Sequence, residues 1–425
     1  MRACRGCLPA VLLFLLLQLT AWSAQRGLRM RDAAVGAASA ASRFFRGGDS
    51  TDCGGEGGEV ARSWDAATAY WLRGLPAGAA YSAAGFERLV TDRAALRQGE
   101  PDGVTVAVII RGGRVLVHAP VQRIHEWTRT MLAFLYEASL EYALPDTFFH
   151  VTCSDWQLQP RAGSAAPGSL VLALNAGDAS WDVPMPSHSH PGEDDYVEGV
   201  AWSARVLQAH WRGTLMCESF GDDCATRCTR IQIRLAASAF PDLLDVRFTN
   251  IYEPVTPCVG DLIRGIEEAA SSEVRASFAV PLSQARTKFV LAMSGTGTPS
   301  GLKKAFATGA AVLRERSQFR EYFEPALIPW QHYVPFDCRS HQKDCRVLDI
   351  VRLAAASDQH DAQFQSIGAA GQRFSRRHFT RDARTCYLQT LLARLQPFFE
   401  GGRGTLPADT FQRLEHLFQP YSAYE

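Results

Sequence analysis

The chain has 425 residues, enough for two domains and for a core that needs no disulfide or metal to hold it. Lysine plus arginine number 44 and aspartate plus glutamate also number 44. That balance excludes a protein that coats nucleic acid through net positive charge, and it excludes a single-sign disordered tail. At 47% hydrophobic and 21% charged residues the composition is that of a globular protein, not of a collagen, a coiled coil or a multi-span membrane protein.

Arg2 and Arg5 precede an uncharged, Leu-rich run over residues 7–24, and Ala21 and Ser23 are small residues at the spacing a signal peptidase reads. Residues 1–24 therefore read as a signal peptide or a signal anchor; the run is at the short limit for a bilayer span, and Gln18 interrupts it. Either form sends the remainder into the secretory lumen, the endoplasmic reticulum or the Golgi. Residues 25–63, rich in Ala, Gly, Ser and Arg, read as a flexible stem. A helix or two is expected between residues 71 and 98. The run 104–110 is a predicted strand, with a turn at Gly112-Gly113 and a return strand at 115–117, so a hairpin.

Trp127, Met131, Phe134, Leu135 and Ala138 recur at helical spacing and predict a helix over 124–142. Short apolar strands are expected at 148–151 and 170–174, a loop at 182–186, and a helix at 195–209. In the second half the pattern predicts a strand at 289–293, a small-residue loop at 294–301, a short helix over 303–308 and a strand at 310–313. Helices are expected at 347–356, 363–377 and 384–399. Strands alternating with helices imply an α/β fold with parallel sheets covered on both faces.

Nine of the eleven cysteines follow the N-terminal segment, and in an oxidising lumen most should pair. Cys217, Cys224 and Cys228 lie close together and read as disulfide cysteines in preference to zinc ligands. Asn175 and Asn250 begin no N-x-Ser/Thr sequon. His188, His190, Asp194 and Asp195 read as a solvated polar loop and not as a metal site.

Four stretches carry chemistry. Leu144-Pro145-Asp146 is followed by Asp155-Trp156 just after an apolar strand, where open α/β sheets bind ligands. His210-Trp211-Arg212-Gly213-Thr214 puts a forked cation beside a glycine, with Arg230 and Arg234 beyond, a combination suited to phosphate. The loop holding Ser294, Gly295, Gly297, Ser300 and Gly301 leads into Lys303-Lys304; strand, glycine loop and helix start form an anion site. It is neither a Walker A loop nor the dinucleotide fingerprint. Residues 322–335 are rich in aromatics and prolines and read as stiff core.

Together these stretches resemble glycosyltransferase family 90, the capsule-associated-protein domain of protein O-glucosyltransferases and capsule xylosyltransferases. The spacing from Leu144-Pro145-Asp146 to Asp155-Trp156, the Trp211–Thr214 stretch, the Tyr322–Pro335 block, and Gly368–Phe374 with Asp382–Tyr387 match its motifs in order, over about residues 104–396. The resemblance implies a GT-B-like fold: two Rossmann-like domains facing a cleft, an acceptor domain at 64–205 and a UDP-sugar donor domain at 206–399, followed by a tail at 400–425. It implies an inverting transfer of a glucosyl or xylosyl unit from a UDP-sugar to a hydroxyl of a protein or glycan acceptor. Asp155 falls at the position of the catalytic base. Arg212, Gly213 and Thr214 fall in the donor diphosphate motif, and Gly295, Gly297, Ser300, Lys303 and Lys304 in the loop and helix start facing it. Glu321 stands where a carboxylate would accept hydrogen bonds from the ribose.

Ser294 and Gly301 stand where the family often carries Asp and Arg, and Ser154 where it carries Arg before the base. The chemistry needs no cofactor or metal, since arginine and helix starts can stabilise a departing UDP. No nucleic-acid partner is expected, and a membrane is met only through the N-terminal segment. The rival reading is a lumenal binding or quality-control protein that keeps this fold and has weakened turnover.

Overall fold

A six-stranded mixed sheet and a five-stranded parallel sheet organise the chain. The structure is a computed structural model that describes residues 57–75, 80–91, 104–118, 123–154, 168–188, 190–192, 195–217, 228–251, 284–299, 301–338, 345–402 and 404–422. The expected signal or anchor segment, most of the stem, Asp155 and Ser300 lie outside these residues. Among the described residues no helix is long and apolar enough to cross a membrane.

The first helix, α1 (Gly57–Leu72), begins inside the segment expected to be stem. Val60 opens a stripe that continues through Trp64, Ala67, Thr68 and Trp71, and burial of that stripe carries the helix back into the segment expected to be stem, well upstream of the helix expected from residue 71. Helix α2 (Ala83–Thr91) follows. Strands β1 (Thr105–Arg111) and β2 (Arg114–Val117) form the expected hairpin, with Ile109 opposite Leu116. Helix α3 (Glu126–Glu141) is capped by His125, whose Nδ1 accepts from the Trp127 amide at 3.3 Å.

Strand β3 (Thr147–Thr152) is buried along its whole length because it is central, antiparallel to β1 and parallel to β4 (Val171–Ala173). Two-residue strands β5 (Ala176–Gly177) and β6 (Val183–Pro184) follow, and β6 extends the sheet beside β4.

The helix expected at 195–209 is absent. A 3-10 turn, Trp202–Ala204, leads into strand β7 (Val206–Leu215). The segment is central in the parallel sheet, and ladder bonds on both sides, to β8 (Leu244–Ile251) and β9 (Thr287–Ala292), overrule its weak helical pattern. Between β7 and β8 runs α4 (Thr229–Ala239), starting beside the Cys217–Cys228 disulfide. After β9 come α5 (Leu302–Ala307), β10 (Ala311–Glu315), β11 (Phe319–Arg320) and β12 (Val334–Phe336), in the sheet order β12-β10-β9-β7-β8. A second disulfide joins Cys338 and Cys345.

Helices α6 (Val347–Ala356), α7 (Asp358–His378) and α8 (Arg381–Leu395) lie close to their expected positions. Ser357 and Thr380 cap the last two, and α7 carries acids in its first turn and bases in its last, as its dipole favours. Residues 404–422 then return to the first sheet: α9 (Ala408–Leu414) precedes β13 (Gln419–Pro420), which pairs antiparallel with β2.

One buried core runs from the first sheet through α1, α5 and α8 to one face of the parallel sheet at Val290, Ala292 and Val312. A second core fills the other face, beneath α4 and α6. The parallel sheet is thus covered on both sides, as its unbroken apolar strands require.

Two histidines, His150 and His378, are buried in this interior, and a third, His190, is half-buried at its margin. Burial, with the His118 charge adding to it, drops His150 to about 3; burial drops His378 to about 4. His190 is held well below its usual range by burial and by the charges of Lys303 and Arg384. Each is neutral in the folded chain and would take a proton below pH ~6.5 once unfolded. Stability from these groups is complete above about pH 6.5 and is lost as the pH falls toward their folded values, at up to about 1.4 kcal/mol per pH unit for each. Glu321, pushed up by burial, works in the opposite sense, but it is one group against three. The unfolding temperature is therefore expected to fall steeply between pH 7 and pH 5. A profile flat over that interval contradicts the assignment.

Candidate active site

Open parallel sheets bind ligands beyond the carboxyl ends of their strands. At that edge β9 runs out into the loop 294–299, β7 ends in Gly213-Thr214-Leu215, and β10 ends in Arg314-Glu315. Beyond β10, β11 pairs antiparallel with β5, which follows β4 in the first sheet. That ribbon draws the carboxyl edges of the two sheets toward each other. The central strand β3 ends at Thr152, three residues short of position 155.

The glycine loop is tied from below by buried charges. The Ser294 amide donates to Glu315 Oε2 at 2.7 Å, and the Thr229 hydroxyl donates to the other oxygen of that carboxylate. Arg314 Nη1 donates to Ser294 Oγ at 3.1 Å and to the Glu315 carbonyl at 2.6 Å, while its Nε reaches Glu324 Oε2 at 3.1 Å. Burial opposes the charge on Arg314, but Glu324 and then Glu315 outweigh it and hold the guanidinium above its ordinary range. Inside the loop the Gly295 amide donates to the Gly297 carbonyl at 3.3 Å.

Two of the candidate glycines on this edge, Gly213 and Gly295, are needed for close approach. A Cβ on Gly213 would lie 2.5 Å from the Trp211 indole, and one on Gly295 would lie 3.0 Å from the Arg230 guanidinium.

Arg212 projects from β7 and is committed to Asp245 on β8. Its Nη2 donates to Asp245 Oδ2 at 2.6 Å, and its Nη1 donates to the Asp245 carbonyl at 2.8 Å. Burial pushes the Asp245 carboxyl up, yet hydrogen bonds from His210 and Arg212 and the Arg212 charge outweigh burial and hold it far below the carboxylate range. Lys303, 4% exposed, donates to Glu321 Oε2 at 2.5 Å. Burial dominates at Glu321 and raises its carboxyl despite the Lys303 charge, which lowers it. Lys304 points elsewhere; its side chain is half exposed and its ammonium lies 3.9 Å from Asp195.

Of the residues singled out from sequence, Gly213, Thr214, Gly295 and Gly297 are gathered at the carboxyl edge of the parallel sheet. Lys303 and Glu321 meet as a buried pair, and Lys304 diverges from them. Sequence reasoning did not anticipate Asp245, Arg314, Glu315 or Glu324. Arg314 and Glu315 follow an apolar strand as Asp155 does, so the rule that singled out Asp155 would have found them. His188 bonds Glu137 at 3.2 Å, and His190 bonds Tyr322 at 2.9 Å and Arg384 at 3.3 Å.

The chain is 24% identical over 338 residues to protein O-glucosyltransferase 2 of Danio rerio, an alignment covering 72% of this chain and 61% of that one. It is 28% identical to human protein O-glucosyltransferase 1 over 111 residues, 26% of each chain. It is 22% identical to the O-glucosyltransferase rumi homolog of Anopheles gambiae, over 53% of this chain and 49% of that one. It thus spans about six-tenths or less of the length of these relatives. Among solved structures, Anabaena HepE in complex with UDP and glucose overlaps 63% of this chain and 77% of that one, with 13% identity and a TM-score of 0.36. The sequence model for glycosyl transferase family 90 matches residues 84–399, from α2 through the whole parallel sheet to the end of α8 and just beyond. A match over that much of the chain, which takes in every motif at the carboxyl edge, makes the chain a member of glycosyl transferase family 90.

Proposed function

We propose that the chain is an inverting, UDP-sugar-dependent glycosyltransferase that moves a glucosyl or xylosyl unit to a hydroxyl of a protein or glycan acceptor in the secretory lumen. The observation that carries this reading is the glycine loop at the carboxyl edge of the parallel sheet, underlaid by buried cations and joined by the β5–β11 ribbon to the sheet whose central strand leads to Asp155. The relatives' names favour glucose and a protein acceptor.

In the proposed reaction the acceptor oxygen forms a bond to the anomeric carbon as the bond from that carbon to the β-phosphate oxygen breaks. Asp155 takes the hydroxyl proton, and the departing electron pair stays on UDP. One displacement inverts the anomeric centre. Loop amides and neighbouring cations would meet the growing charge on UDP, and turnover is proposed to need no added divalent ion.

Asp155→Asn is expected to lower transfer by about 10³-fold while UDP affinity changes little. Transfer from UDP-glucose and UDP-xylose, followed as UDP release with UDP binding measured in parallel, checks this. Undiminished turnover in the variant removes Asp155 from the mechanism.

A second reading has one observation in its favour: Arg212 and Lys303, two of the cations assigned to the donor, are each already paired with a carboxylate. A chain that binds UDP, shown by a raised unfolding temperature, yet never releases it from a sugar nucleotide is the outcome that favours this binding protein.

A further inference from the structure

Strands β7 and β9 stop pairing before they end. Their register runs to His210 opposite Val290, yet β7 continues to Leu215 and β9 to Ala292. Into that widening gap comes Arg230, from the first turn of α4, with 8% of its surface exposed. Its Nη1 donates to the Thr214 carbonyl at 2.6 Å and its Nη2 to the Met293 carbonyl at 2.9 Å. One planar fork thus bonds two carbonyls at the ends of neighbouring strands, one buried and one half-buried, which two separate ladder bonds would otherwise have to do.

The same guanidinium is packed on two sides. Its central carbon sits 5.3 Å from the Trp211 ring, a cation–π distance. A Cβ on Gly295 would meet it at 3.0–3.2 Å, so the loop backbone rests on it. Gly213 in turn lies against the Trp211 indole, where a Cβ would come within 2.5 Å. Gly213, Trp211, Arg230 and Gly295 therefore form one stack through the carboxyl edge of the sheet.

We propose that Arg230 is a positioning residue for the donor site: it fixes the spacing between the end of β7 and the glycine loop and sets the height at which the loop backbone is presented. This deepens the proposed UDP-sugar reading and rests on it for the identity of the ligand. The guanidinium bonds two carbonyls and packs on a ring, and the part proposed for it is to hold the loop, while the loop meets the donor. Lysine keeps the charge but offers a point donor in place of a fork and can serve one carbonyl well, not both.

The test compares Arg230→Lys, Arg230→Met and Gly295→Ala in the whole chain. Amide hydrogen exchange is read over residues 294–299 and, as an internal reference, over β1 and β3. Arg230→Met should speed exchange in the loop by about 10-fold or more while leaving β1 and β3 within about 2-fold. Exchange that is unchanged in the loop, or raised alike in both sheets, overturns the proposal whether or not the chain turns over a sugar nucleotide.

In transfer assays Arg230→Met is expected to raise KM for UDP-sugar by about 10–100-fold, with kcat falling by a smaller factor, and Arg230→Lys to recover part of the loss. Because Gly295 presses on the guanidinium, the Gly295→Ala defect should shrink in the Arg230→Met background; independent, multiplying effects of the two changes count against the stack. If the loop responds as described but UDP does not bind the unaltered chain, the positioning stands and the donor reading falls.

Discussion

Replacing Lys303 by methionine is expected to destabilise the chain by about 3–5 kcal/mol, because Glu321 is left buried without its partner. Both side chains are within 5% of complete burial, so water cannot replace the lost ammonium. The carboxyl, already raised by burial, will take a proton to escape, which places the cost at the lower end at acidic pH and at the upper end at alkaline pH. The double change Lys303→Met with Glu321→Leu removes both charges and should return most of the stability, since a buried ion pair and an apolar pair of similar volume differ little. Urea unfolding of the three forms at pH 7.5 checks this. A double variant as unstable as the single one means that packing around Lys303, not its charge, supports this region. The recovered double variant has a second use: it folds without that pair, so any loss of UDP affinity in it measures what those charges contribute to the donor site.

Trp64→Ala is expected to cost about 3–5 kcal/mol, the range for emptying a fully enclosed aromatic site. The indole is 0% exposed and sits among Tyr322, His378 and Tyr387, with ring centres 5.7, 5.1 and 5.4 Å away. Helix α1 thereby links α8 to the aromatic segment at 322–323, although it lies upstream of the span that matches the family. Trp64→Phe should recover roughly half of the loss by keeping a ring in the site. A fragment beginning at residue 84 lacks the helix altogether and should unfold at a lower temperature than the single substitution. Equal unfolding temperatures for that fragment and the whole chain would show that α1 is dispensable.

Much of this architecture was legible because the parallel sheet is buried on both faces. Phe289–Met293 and Ala310–Leu313 had no polar face to keep, so their apolar runs announced strands directly. Helices α6 and α7 were equally plain, since sustained amphipathic periods have few alternatives. Strand β7 misled because Gln208, His210 and Arg212 interrupt its apolar residues, and what pays for burying them, Asp245 and the neighbouring backbone, is 30 or more residues away. Strand β8 was legible and was missed: Asp245 and Arg247 alternate with Leu244, Val246 and Phe248 at the two-residue period of a half-buried strand. At the site, residue type and motif order pointed to the right edge of the right sheet. They did not reveal that Lys303 and Glu321, each singled out for a different part of the donor, bind each other. Pairing across a fold is a property of three-dimensional distance, and spacing along one chain does not encode it.

The last described strand, β13, closes the sheet begun by β1 and β2 some three hundred residues earlier. While the ribosome is still making the parallel sheet, β2 has a bare edge, and Val115 and Val117 next to it are among the residues that the finished chain buries completely or nearly so. The first sheet to be started is thus the last to be completed, and its edge stays open until residues 419–420 have been made and can pair. A premature stop near residue 400 would preserve every chemical group considered for the reaction and still expose an adhesive seam to chaperones and to other copies of the chain.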